Sequence, residues 1–263
     1  MKARISSASQ LFASSWLLPA PGDSGTPSWI APPAFAALLR LRLGLPITPS
    51  AAEDSVTLCG MCREMVADAY GHHALACTRS GAKYRCHNAV RDEIFWLAAG
   101  AFWSPKKEPA MFPSAPNRRA DISFSVRSGP ARELICVDVA VPSPFSASGL
   151  RALRANNFAP GSVAKEYEKE KFRSYGPLAA EVGAVLVPIV ADSLGAFSPT
   201  ALPLLRRLAV AWGRTEGIPP HLAASKVIGH LTQVLVKEIG RSLVASASGQ
   251  AAARPSEVRR VAA

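Results

Sequence analysis

Acidic side chains are scarce. The chain has 263 residues, and 19 Asp and Glu stand against 30 Lys and Arg, for a net charge of +11 and a pI near 9.9. Such a shortage favours polyanionic partners. Cysteine is sparse too: five thiols are an odd count and too few for a disulfide scaffold, so metal binding or free thiols are expected. No apolar run reaches the roughly 18 residues that a membrane span needs. A hydrophobic share of 49% with mean hydropathy of +0.13 excludes wholesale disorder. The length suits one well-cored domain, or one domain with an appended module. Pro 22 and Gly 18 add long irregular stretches.

The charge is uneven. Net values run +1 for 1–58, +4 for 59–130, 0 for 131–200 and +6 for 201–263. Acids therefore concentrate in a balanced third of a basic chain. A nuclease-like site needs such an exception, with carboxylates for cations inside a surface that draws phosphates. An ordinary solvated set of helices and strands has the same balance.

Residues 1–34 are rich in Ser, Pro, Gly and Ala and read as a disordered or irregular leader. Their basic, Ser-rich start loosely has transit-peptide composition. A short helix spans 33–44 and stops at Gly44 and Pro46, and SAAEDS (50–55) is a polar linker. Helical spacing of Val90, Ile94, Leu97 and Ala98 places a helix over 87–102. Alternation of Ile122, Phe124 and Val126 places a half-buried strand over 119–126. Beyond a Ser-Gly-Pro turn, ELICVDVAV (133–141) reads as a central strand, paired with the first as a hairpin. A loose Ser/Gly/Asn loop, a charged helix over 162–175 and a third strand over 184–190 follow. Pro188 assigns that strand to an edge or end. Helices over 198–213 and 221–244 complete the order, with Gly229 and Gly240 as weak points in the last. The resulting fold class is α/β, with a mixed sheet flanked by helices.

Cys59, Cys62, His73 and Cys77 form a C-x2-C-x10-H-x3-C pattern on a 19-residue stretch. Two thiolates at C-x2-C spacing can bite one tetrahedral Zn²⁺. A segment too short for its own core folds around the metal instead. His72 is an alternative ligand that spacing alone does not separate from His73. Cys86 begins a helix, and Cys136 belongs to the core.

Asp121 lies in an alternating strand and Asp138 interrupts an apolar one, a costly position for a carboxylate without a partner or cation. Their separation of 17 residues suits a hairpin that sets both on adjacent strands. Two aspartates and a lysine are a minimal set for Mg²⁺-assisted phosphodiester hydrolysis. Solvent-facing strand-end aspartates are the alternative.

Seven stretches in order, ALLRLRLGLPI (37–47), CGMC to GHHALAC (59–77), YRCHNAVRDEIF (84–95), NRRADISF (117–124), ICVDVAVPSPF (135–145), KEKFRSYGPLA (169–179) and LVPIVADSLGAFSPTALPLLRRLA (186–209), resemble a known family. It is the restriction-enzyme-like endonuclease region, with its zinc knuckle, of non-LTR retrotransposon and related reverse-transcriptase proteins. The resemblance covers roughly residues 35–210 and implies a PD-(D/E)xK-type core over 84–215. Ahead of it would come a short helix and zinc knuckle over 35–83. A C-terminal helix over 216–246 and a disordered basic tail over 247–263 would follow.

The resemblance further implies that Cys59, Cys62, His73 and Cys77 hold structural zinc. Asp121 and Asp138 become the acidic pair holding catalytic Mg²⁺. Ala140 stands where the simplest motif has its lysine, and the family's lysine lies instead on the following helix, upstream of a tyrosine. Lys171 and Tyr175, four apart on one helix face, fit those positions, with Lys165 and Lys169 as alternatives. His87, Arg91, Arg118 and Arg119 become nucleic-acid contacts. Departures are the absent acid before His72, Asp192 where Glu is expected, and Arg-Cys-His at 85–87 for Arg-Arg-His. No Tyr/Phe-x-Asp-Asp polymerase box occurs in the chain.

The expected protein is thus a metal-dependent DNA-nicking endonuclease module without the polymerase, or an inactive nucleic-acid-binding remnant that keeps its zinc. DNA is the expected partner, RNA a second, and membrane none. A nuclear location follows from the substrate alone.

Overall fold

The structure, a computed structural model, describes residues 2–10, 13–17, 30–47, 56–65, 67–79, 81–128, 131–248 and 251–252. In chain order the elements are α1 (Lys2–Ala8), a 3-10 turn (Ser15–Leu17), α2 (Pro32–Leu43), β1 (Val56–Thr57), α3 (His72–Ala76) and α4 (Ala82–Gly100). Next come β2 (Lys106–Lys107), β3 (Ile122–Ser128), β4 (Ala131–Ala140), α5 (Ala147–Ala155) and α6 (Ser162–Glu181). The last are β5 (Val185–Val190), α7 (Ala201–Thr215), α8 (Pro220–Ala247) and β6 (Ala251–Ala252). The 50–55 linker, residues 18–29, residues 129–130 of the expected turn and the tail from 253 lie outside the described residues.

Strand order in the main sheet is β2-β3-β4-β5. β2 and β4 run antiparallel to β3, whereas β5 runs parallel to β4. The sheet is therefore mixed, with β4 inside and the Pro188 strand at the edge, where a missing N–H costs no ladder bond. β1 and β6 form a separate two-residue antiparallel ribbon.

Period-two alternation sorts the side chains to two faces. Ile122, Phe124, Val126, Ile135, Val137 and Val139 join α4, α7 and α8 in the main core. Cys136 and Leu186 meet Ala179 of α6 on the other face, and Ala140 and Val190 meet Ala164 there. β4 is thus covered on both sides, which is why it reads as nearly continuous apolar sequence. Asp138 lies on the face toward α6.

Four features depart from the sequence expectations. The leader is partly ordered: α1 and the 3-10 turn are helical, and Trp16 is buried against the main core. The loop after β4 contains α5, capped by Ser146, whose Oγ accepts the Gly149 amide at 3.1 Å. α6 runs past Tyr175 and through Pro177 to Glu181. Gly240, expected as a weak point, is a close approach: a Cβ there would lie 3.0 Å from Ala34 Cβ and Leu38 Cδ1 of α2. Gly44 stops α2 as expected, with φ 74° and the Leu45 amide bonding Arg40 O at 2.8 Å.

Candidate functional site

Turns and a short helix bring the cysteine segment together. The Cys59 amide donates to Met65 O and the Arg63 amide to Cys59 O, both at 2.8 Å. Asp68 then orders the entry to α3, accepting the Tyr70, His72 and His73 amides at 3.1, 3.0 and 2.6 Å. That turn aims His73 at the thiols, with Nε2 3.4 Å from Cys62 Sγ. One ligand atom each from Cys59, Cys62, His73 and Cys77 lies within 4.8 Å of all the others.

The neighbouring imidazole faces away. His72 stacks on Phe145 with ring centroids 4.4 Å apart, and its Nε2 meets Arg4 Nη2 at 2.9 Å. Three thiols and one imidazole are the soft tetrahedral set that suits zinc. Burial works against a Cys62 thiolate, but the Glu64 and Met65 amides, His73 and Cys59 outweigh it and pull its pKa down to about 6. Ser246 of α8 donates to Cys59 Sγ at 3.3 Å, an outer-shell bond that fixes the ligand.

A second cluster forms at the start of β3. The Asp121 amide donates to Val137 O at 3.0 Å. The Val139 amide donates back to Asp121 Oδ2 at 2.6 Å. Val139 follows Asp138, so this bond ties one carboxylate to the backbone that carries the other. His87 Nε2 lies 3.2 Å from Asp121 Oδ1, and Lys171 Nζ lies 2.7 Å from Asp138 Oδ2. Each aspartate thus has one basic neighbour, from α4 and α6 respectively.

Burial dominates at Asp138, whose side chain is 5% exposed, and raises its carboxyl. Asp121 adds to the rise while Lys171 opposes it. Burial also works against the Lys171 ammonium, but Asp138 outweighs it and holds the amine above its ordinary value. Tyr175 is raised by burial and by Asp138. A buried carboxylate beside a like charge is stabilised by a cation, and its hard oxygens suit Mg²⁺. Among the described residues no third acid converges within 4.8 Å as the zinc-type ligands do.

Lys171 reaches Asp138, whereas exposed Lys169 pairs with Glu166 at 3.0 Å. Lys165 is exposed and separate. Tyr175 lies beside Lys171, whose Nζ is 5.7 Å from its ring centroid. Arg118 is 5.8 Å from the same ring and donates to Ser174 O at 3.1 Å. Arg119 donates to Glu108 O at 3.1 Å.

Arg91 differs from its expected role as a phosphate contact. It is buried and held between Asp92 and Glu108. Its guanidinium braces α4 against the segment before β3. Glu108 escaped the sequence reading because its partner lies 17 residues away, outside any helical or strand spacing.

Fold and clusters together define a mixed α/β protein with a Cys₃His group that could hold a zinc ion. No protein-family model matches the chain, and no curated protein matches it. Among the described residues no helix is long and apolar enough to cross a membrane.

Proposed function

We propose that this chain is a metal-dependent DNA-nicking endonuclease module with a structural zinc knuckle. On this reading it has a restriction-endonuclease-like core related to those of non-LTR retrotransposons and acts in the nucleus. The observation that carries the reading is that Asp121, just before β3, accepts the Val139 amide next to Asp138 on β4 and bears on the Asp138 carboxyl, with Lys171 on Asp138 and His87 on Asp121. A purely structural Asp138–Lys171 pair would need no second, partly buried acid beside it.

Asp121 and Asp138 would hold the Mg²⁺. When bound, the ion supplies a Lewis acid that activates water and stabilises the leaving oxyanion. Lys171 offsets charge on the scissile phosphate or orients the water. Tyr175 stacks beside Lys171 and, with Asp138, fixes where its amine points. His87 orients Asp121, and the Asp121–Val139 bond sets the separation of the carboxylates. Arg118 and Arg119 are exposed for the phosphates that flank the cut.

A supercoiled-plasmid assay with Mg²⁺ tests this. The parent should nick, and Asp121→Ala/Asp138→Ala should lose at least about a hundredfold in rate while keeping DNA binding. Lys171→Met should fall similarly, whereas Lys169→Ala should match the parent. A parent that shifts DNA on a gel but never nicks it would overturn the enzyme reading in favour of an inactive nucleic-acid-binding module.

A further inference from the structure

No acid occurs between Asp138 and Glu166, or before Asp23. These two acid-free stretches meet in space. Ala3 of α1 shares an apolar cluster with Leu153 of α5 and Val163 of α6. Ser6 Oγ donates to Ala159 O at 3.0 Å, and Lys2 Nζ lies 5.7 Å from the Phe158 ring centroid. The face so assembled carries Lys2, Arg151, Arg154 and Lys165, all exposed. Among the described residues Arg151, Arg154 and Lys165 have no ion-pair partner. Partly buried Arg4 joins this face to the zinc-type segment, its guanidinium 5.3 Å from Phe145 and 5.7 Å from Tyr70.

The face adjoins the acidic pair. Ser148 Oγ of α5 meets Tyr167 Oη at 3.1 Å, and Tyr167 precedes Lys171 by about one helical turn. Arg118 bonds Ser174, just past Lys171 on the same helix. Two basic groups therefore attach to α6 on either side of the candidate catalytic lysine. Exposed cations spread over helices, with Glu166 beside Lys165 already paired to Lys169 at 3.0 Å, suit a delocalised polyanion rather than one small anion.

We propose that α1, α5 and the first turn of α6 form a second track for the sugar–phosphate backbone of duplex DNA. The track holds the strand on the far side of Lys171 from Arg118. It rests on the reading of Asp121 and Asp138 as a nucleic-acid site.

Fluorescence anisotropy of the full chain on a labelled DNA duplex, without added Mg²⁺ and between about 50 and 200 mM salt, tests the assignment. Arg151→Ala/Arg154→Ala should weaken binding and lower the slope of log Kd against log salt by about 2, with unchanged melting. Arg127→Ala/Arg132→Ala removes the same charge from the hairpin end of β3 and β4, about 20 Å along β3 from Asp121, and should leave the slope unchanged. A parental slope in the first variant, or an equal fall in both, would overturn the track. A parent that fails to nick while its slope still responds to Arg151→Ala/Arg154→Ala removes the nuclease reading alone and leaves the track standing.

Discussion

At the residue scale, environment separates five chemically identical thiols. Burial pushes Cys86 up to about 12, with Glu238 adding to it. Burial and the nearby Asp138 and Asp121 do the same for Cys136. Both are buried, and burial disfavours the thiolate that reacts. Native alkylation with peptide mass mapping should leave both unmodified, with or without a chelator, while chelation opens partly exposed Cys62. Labelling of Cys86 or Cys136 in a chelated but folded chain would contradict this. The imidazoles divide similarly. His73→Ala should release zinc in a metal-binding dye assay, whereas His72→Ala should retain it, because only His73 points at Cys62. Spacing left the two equivalent; the stacking of His72 on Phe145 and the approach of His73 to Cys62 distinguish them.

At the element scale, α4 is tied to β2 by charge. Burial opposes ionisation of Asp92, but Arg91 and Lys107 outweigh it and hold its carboxyl below the usual range. A depressed carboxyl contributes stability that is present above the unfolded value of about 3.9 and lost as pH falls through the folded one. Asp92→Asn should therefore lower Tm at neutral pH, and the two melting curves should converge in acid. Asp92 and Lys107 are both partly exposed, so screening limits the effect to about 1 kcal/mol or less. It should shrink further in high salt. A Tm gap that widens as pH falls would refute the pairing. Among the elements, β4 and the core of α6 were readable because a buried strand and a charge-laced helix have their own periods. α5 was not, since Ser-Ala-Ser-Gly has little helical propensity and Ser146 acts only once its oxygen finds the Gly149 amide.

For the whole molecule, the described parts of the N-terminal segment pack onto the rest of the fold. Trp16 packs edge-on against Phe35 with centroids 5.7 Å apart, beneath α8. Trp16→Ala should cost about 3–5 kcal/mol and lower Tm by roughly 10 °C or more. A variant melting with the parent would show that the segment is dispensable. Arg42 of α2 fastens the same region, donating to Ala8 O at 3.1 Å and Ala13 O at 3.0 Å. Buried Asp192 helps as well, its carboxylate bonding the Ser7 side chain and facing the Arg42 charge. A Ser- and Pro-rich composition conceals such anchoring, because it depends on α2 and on α8, the latter more than 200 residues later.

Sequence alone determined whatever depends on near neighbours. It settled the coarse class of the fold, the succession of α4, β3, β4, α6, β5, α7 and α8, the edge position of the Pro188 strand and the cysteine-rich zinc-type segment, with His72 and His73 left as alternatives. Local spacing, side-chain period and donor type suffice for these. Tertiary structure alone decided that Lys171 rather than Lys169 reaches Asp138, that Arg91 serves Glu108 and Asp92, and that α1 lies beside α5. Those outcomes depend on where α6, the approach to β3 and the N-terminus pack, and packing is a sum over distant contacts that no local pattern contains.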